Sequence, residues 1–212
     1  MGSVHDDKQS TVAVQRHNNQ QFSRFIIEIQ KPIHVGQLTI NIPWAKKKVL
    51  RIKNSTIEID VVTDSISKVL GYISSLFLIV DIRRVKESTP NSSPSNLDIL
   101  QHMLECEILS LSERFWECHT SLESVWMHSG PDTKIFLQSI ILFSSSQAKY
   151  QMSNSDAAEK MYLRAYSMLS RSGKSNMVLT DMKDDFYYPI HWRFNISDEI
   201  RTEFYINYFN LG

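Results

Sequence analysis

The sequence predicts an α+β fold, with a small N-terminal strand-rich α+β domain followed by an all-α helical bundle. Three observations carry that expectation. From Phe22 to Val62 apolar residues return at every second position in several short runs, the period of half-buried strands. From Leu97 onward they return at three- and four-residue steps, the period of an amphipathic helix. Between the two lies Ser-Thr-Pro-Asn-Ser-Ser-Pro-Ser, residues 88–95, whose prolines and small polar residues read as a linker.

Residues 1–20, rich in Gln, Asn, His and Asp, are expected to form a loose arm. The α+β domain is placed at 21–87. Its strands are predicted at 22–29, with Phe25, Ile27 and Ile29 on one face, and at 37–42 after a turn marked by Pro32 and Gly36. Two more are expected at 49–52 and 56–62, split at Asn54-Ser55. Residues 64–72 read as a short helix capped by Asp64 or Ser65, with Ile66, Val69, Leu70 and Ile73 on one side. Residues 75–85 return to strand character.

The bundle is placed at 96–173. A first helix is predicted over 97–107. Ser110-x-x-Glu113 has the spacing of a capping box, and it opens a predicted helix at 110–129 that Gly130-Pro131 would stop. Asp132 is expected to cap the next helix, which is apolar nearly all round from Ile135 to Phe143 and so belongs at the centre of the bundle. Ser144, Ser145 and Ser146 are small enough to let a neighbour approach. A third long helix starts near Asn154 or Ser155, buries Ala158, Met161, Tyr162, Ala165, Met168 and Leu169, and ends at Gly173. The segment 174–212 holds Phe186, Tyr187, Tyr188, Trp192, Phe194, Phe204, Tyr205, Tyr208 and Phe209. Aromatics bury roughly 150–250 Å² each, so this tail is expected either on its own body or against a second copy, as a homo-oligomer contact.

Composition narrows the function. Of 212 residues, 42% are apolar and 10% aromatic, which argues against disorder. Lys plus Arg and Asp plus Glu both number 23, so the chain lacks the basic excess of a phosphate reader, and nucleic acid is not an expected partner. The one local basic cluster, Lys46, Lys47, Lys48, Arg51 and Lys53 beside Trp44, is echoed by Arg83, Arg84 and Lys86. It reads first as a lysine-protected strand edge, with a nucleic-acid surface as the alternative. Cys106 and Cys118 fall in helical segments and are expected as free thiols of a reducing cytosol. No apolar run reaches the ~20 residues of a membrane span, and the start lacks a signal peptide's apolar core. The reading is a soluble cytoplasmic protein with no membrane partner.

The helix at 110–129 carries the chemistry. Phe115, His119, Leu122 and Trp126 follow steps of four, three and four, with Trp116 and Glu123 on the adjoining edge. His119 and Glu123 thus stand one turn apart on the side expected to face the core, where an unpartnered ionisable group costs several kcal/mol or shifts its ionisation. Three compensations are open. The pair can be a structural polar cluster, it can bind a divalent metal ion with further ligands, or it can act in general acid–base catalysis. Trp126, Gln138 and Trp116 are the candidate neighbours. His102 and Cys106, also one turn apart, are a weaker four-ligand alternative with His119 and Glu123.

Residues 115–126, Phe-Trp-Glu-Cys-His-Thr-Ser-Leu-Glu-Ser-Val-Trp, resemble the signature of the domain-of-unknown-function family 309, a small prokaryotic family with the motif His-x-x-x-Glu-x-x-Trp. Here the motif residues are His119, Glu123 and Trp126. Leu137-Gln138-Ser139-Ile140-Ile141 is similar to the family's Leu-Gln-Gly-Leu-Ile, and Ala157-Ala158 stands at its Gly-Ala step. The resemblance covers roughly 98–170 and implies a helical bundle with a suggested metal-binding motif and no established activity. Two departures matter: Thr120 stands where many members carry a second Glu, and Ser139 replaces a Gly. Two functions of different class follow, a metal-binding or hydrolytic protein using His119 and Glu123, or a non-enzymatic binding or assembly module in which that pair is structural.

Overall fold

The computed structural model describes residues 22–32, 40–85, 94–174, 178–179 and 188–210. The expected arm at 1–20, half of the strand predicted at 37–42, most of the linker at 88–95, and Phe186 and Tyr187 of the tail lie outside these residues.

Four strands, β1 (Ser23–Gln30), β2 (Lys47–Ile52), β3 (Thr56–Thr63) and β4 (Ile79–Arg84), form one antiparallel sheet in the order β2-β3-β1-β4. The register pairs Ile27 with Ile59 and Ile29 with Ile57. Those positions point to one face because strand side chains alternate, and there helix α1 (Ile66–Ser74) lays Val69 and Ile73 over them. Ile40 and Ile42 join this apolar layer, although residues 40–42 are not strand.

The same alternation sends Arg24, Glu28, Arg51, Lys53, Glu58 and Asp60 to the opposite face. That face is covered too: Arg51 is only 2% exposed and Glu58 1%. The reading of Arg51 and Lys53 as part of a solvated edge is therefore corrected. Lys47 and Lys48 on edge strand β2, and Lys46 just before it, are exposed, while Arg51 and Lys53 face the helices.

The helical region comprises α2 (Asn96–Leu111), α3 (Phe115–Trp126), α4 (Pro131–Gln151) and α5 (Ser155–Arg171). A capping box does exist, but at Ser95 and Asp98 of α2 rather than at Ser110 and Glu113. Ser110 is the penultimate residue of α2. Glu113 sits in the α2–α3 turn with φ +53°, and its carboxylate accepts from the Asn54 backbone N–H at 3.1 Å and the Tyr188 hydroxyl at 2.6 Å. The helix predicted over 110–129 is thus a shorter one, Phe115–Trp126, because this turn interrupts it. Pro131 occupies the first turn of α4, where its missing N–H costs nothing.

The expectation for α4 is met: most of its surface is buried. The Ser146 hydroxyl donates to the Ala158 carbonyl of α5 at 2.8 Å, so the small side chains do bring the two helices together. Asn154 caps α5 through the Ala157 N–H, and Gly173 follows it at φ +67°, a conformation suited to glycine.

The free-thiol expectation is corrected, since Cys106 of α2 and Cys118 of α3 are joined in a disulfide, with Cα atoms 4.7 Å apart. Both lie on the apolar faces that bring these two helices together. The described part of the tail packs on its own body: Ile190, Trp192 and Phe194 are buried in the helical core. Helix α6 (Asp198–Asn210) is latched by Arg201, whose Nε donates to the buried Glu107 carboxylate at 3.0 Å. Ile206 and Phe209 of α6 remain exposed. No helix among the described residues is long and apolar enough to cross a membrane.

Candidate functional site

The core stripe of α3 is Phe115, Cys118, Leu122 and Val125. At about 100° per residue, His119 stands roughly 80° and Glu123 roughly 120° from the centre of that stripe. The pair is therefore not on the core face, contrary to expectation. His119 is at the flank with its side chain 17% exposed, and Glu123 faces solvent at 48%. His119 Nδ1 and Glu123 Oε2 are 3.9 Å apart, beyond a hydrogen bond.

What covers the flank of α3 is the charged face of the sheet. Trp116 meets two guanidinium groups, Arg24 at 5.5 Å and Arg51 at 5.3 Å from its ring centroid, within cation–π range. His119 stacks on the same indole, 5.0 Å between centroids and 13° between planes. Beneath them Asp60 accepts from Arg24 Nε at 2.9 Å and Nη2 at 2.5 Å, and from Arg51 Nη2 at 2.6 Å. Burial pushes the Asp60 carboxyl up, but these hydrogen bonds and charges outweigh it and hold the group below its ordinary value. Lys53 bridges Glu28 and Glu58, each at 3.1 Å, and Arg83 reaches Glu58 at 2.8 Å and Glu117 of α3 at 3.2 Å. The network thus ties sheet to helix.

Beside this network the two layers leave a cavity of ≈ 530 Å³. Its walls come from the sheet (Arg24, Lys47, Val49, Arg51, Asp60, Val62), from α3 (Trp116, His119), from the end of α4 and its C-cap (Ser145, Ala148, Lys149, Met152), and from Met161 of α5. The size falls in the range of small-molecule sites. Burial lowers the His119 imidazole below its ordinary value, with the Glu123 charge acting the other way. Of the residues singled out in the sequence, the cavity gathers His119 and Trp116. Glu123, Trp126 and Gln138 do not line it; the Trp126 ring carries Lys134 at 5.1 Å instead.

Among the described residues no group of three or more His, Cys, Asp or Glu side chains could hold an ion. Thr120, at the family's second carboxylate position, donates its hydroxyl to the Trp116 carbonyl at 3.0 Å. Cys106 is bonded to Cys118, which removes the four-ligand alternative, and His102 instead contacts Ser121 Oγ at 2.8 Å.

Ser121 also donates to Glu105 at 2.5 Å, beside a second cavity of ≈ 280 Å³ on the Arg83 side of Trp116. This Ser–His–Glu cluster is not a proton relay. Serine and carboxylate both approach the same ring nitrogen, Nδ1, whereas a relay needs one on each.

Sequence reasoning missed Arg24, Asp60 and Lys149, and it placed Arg51 in a solvated role. One signal for the sheet residues was legible: charges of both signs at alternate positions of three adjacent strands, a complementary pattern that solvent exposure does not require.

These features define an α+β protein with a ligand-sized cavity between a charged sheet face and a helical layer. Its helical segment 106–161 matches the model of the family described as domain of unknown function (DUF309), which bears out the resemblance over that stretch. No curated protein and no solved structure matches the chain.

Proposed function

We propose that the chain is a small-molecule-binding protein whose site is the cavity between the sheet and α3–α5, with His119 and Trp116 as its helical wall. This is the binding-module reading, with His119 turned to the cavity rather than locked in a structural pair. The observation that carries it is the cavity itself: two layers that seal perfectly would leave no such space, yet here it is lined by mixed apolar and polar side chains from six elements and the α4 C-cap. The test is a fragment screen followed on the indole N–H resonance of Trp116, assigned by its loss in Trp116→Phe. Fragments shift that resonance in the native protein and fail to do so in Met161→Trp, which fills the space. Fragments that shift it equally in both proteins overturn the reading.

A second reading is favoured by an imidazole in the cavity wall whose ionisation burial lowers: His119 as a general base. Its test is turnover of any ligand found by the screen, with activity rising through the His119 titration and absent in His119→Gln. We also retain the division at 88–95 into two domains, supported by two separate apolar clusters, one in each part. Circular dichroism of residues 94–212 alone tests it, a folded spectrum being the expected result. A homo-oligomer through the tail rests on the exposed Ile206 and Phe209, and sedimentation of Phe209→Glu against the native chain checks it.

A further inference from the structure

The cavity has a charge that the chain as a whole does not. The chain is neutral, with 23 basic and 23 acidic residues. The cavity wall carries Arg24, Lys47, Arg51 and Lys149 against one carboxylate, Asp60, and His119 adds no positive charge while neutral. Asp60 is already shared between two guanidiniums. Lys47 and Lys149 have no ion-pair or hydrogen-bond partner among the described residues, and they approach from different layers, β2 and α4.

Buried donors point the same way. Arg51, 2% exposed, leaves Nε and Nη1 without a hydrogen bond among the described residues, its Nη1 having only the Glu58 carboxylate at 3.6 Å. Trp116 Nε1 and His119 Nδ1 are buried and equally unpaired. Leaving buried polar atoms unmade costs about 1–3 kcal/mol each, and all of these atoms can donate. Among the cations, Val49, Val62, Ala148, Met152 and Met161 supply the apolar part of the lining.

We infer that the cavity binds a small organic anion, a phosphate or carboxylate group on an apolar or planar body. The acceptor oxygens meet Arg51, Lys47 and Lys149, and the body lies on the methionines and Trp116. The inference deepens the binding reading above and rests on it. It explains why a surplus of donors is held at a seam that the protein could have filled with leucine.

The experiment titrates the full chain with 1-naphthyl phosphate, 1-naphthol and inorganic phosphate by calorimetry and the Trp116 indole resonance. The expected result is that naphthyl phosphate binds at least about tenfold tighter than 1-naphthol, and that raised salt weakens it. Lys149→Met and Lys47→Met each weaken naphthyl phosphate about five- to tenfold and leave 1-naphthol unchanged. Neither lysine has an ion-pair or hydrogen-bond partner among the described residues, so both substitutions are expected to leave the fold intact, which thermal melts check. If 1-naphthol and naphthyl phosphate bind alike and Lys149→Met changes neither, the anion inference falls while the binding reading stands. If neither binds and fragments fail as well, both fall. Binding of inorganic phosphate as tight as that of naphthyl phosphate, untouched by Met161→Trp, marks an adventitious ion only and also overturns the inference.

Discussion

The two faces of one sheet are closed in opposite ways. Toward α1 the strands present Ile27, Ile29, Ile57, Ile59 and Val61, and the helix answers with Val69 and Ile73. Toward α3 they present Arg24, Glu28, Arg51, Glu58 and Asp60, answered by Trp116, Glu117 and His119. Apolar surfaces adapt by close packing and leave little space. Charged groups must keep hydrogen-bond geometry, so they pack at fixed distances and cannot close every gap. A cavity with unpaired donors is the consequence. The difference teaches where to look for function: on the face where stability was harder to obtain.

The largest effect expected from breaking this contrast is at Asp60. Asp60→Ala strips Arg24 and Arg51 of their shared acceptor and leaves the buried Arg51 only the Glu58 carboxylate at 3.6 Å, a loss of about 3–5 kcal/mol in urea unfolding at pH 7. On the other face, Ile59→Ala opens a hole at a fully buried position and costs about 2–4 kcal/mol. The two are separated by pH rather than by size. Asp60 and Glu28 are held below their ordinary values of 3.8 and 4.5; for both, burial opposes the shift and is outweighed by hydrogen bonds and charge from Arg24 and Arg51 at Asp60, and from Thr56, Lys53 and Arg83 at Glu28. A depressed carboxyl contributes stability that is full above its unfolded value and is lost as pH falls through its folded value. The native chain should therefore lose stability steeply below about pH 4. Asp60→Asn should flatten that loss, whereas Ile59→Ala should run parallel to the native curve. Parallel curves for both variants would show that the charged face contributes nothing specific.

A smaller effect is expected at His119. Its imidazole is lowered by burial, so the unfolded chain takes up the proton first as pH falls through the ordinary value of 6.5. Stability from the neutral ring is complete above that value and declines below it. His119→Gln should remove this part of the pH dependence, read by thermal melts between about pH 5 and 7.5. The smallest effect is at Lys149: Lys149→Met should change stability by less than about 0.5 kcal/mol, which keeps its effect on ligand binding interpretable.

Much of this architecture was legible before any coordinates. Period-two runs located β1, β2 and β3, and period 3.6 located α2, α4 and α5, because burial on one side writes itself into neighbouring residues. The family signature in α3 was legible for the same local reason. The boundaries of α3 were not. Ser110-x-x-Glu113 satisfies a capping pattern, but Glu113 is held by Asn54 and Tyr188, residues 59 and 75 positions away. Nor did the order of helical residues reveal that α3 has two covered sides, one toward α4 and one toward the sheet.

By itself, then, the sequence determined the α+β class, the residues that would be apolar in each layer, and the presence of a polar group on α3. Only the tertiary structure decided which way that group faces. It turned His119 toward Arg24 and Arg51 and left Glu123 in solvent. The reason is physical: a helix's periodicity records that a side is covered, whereas the identity of the cover depends on strands more than fifty residues away. The charges that meet His119 are set by that distant register.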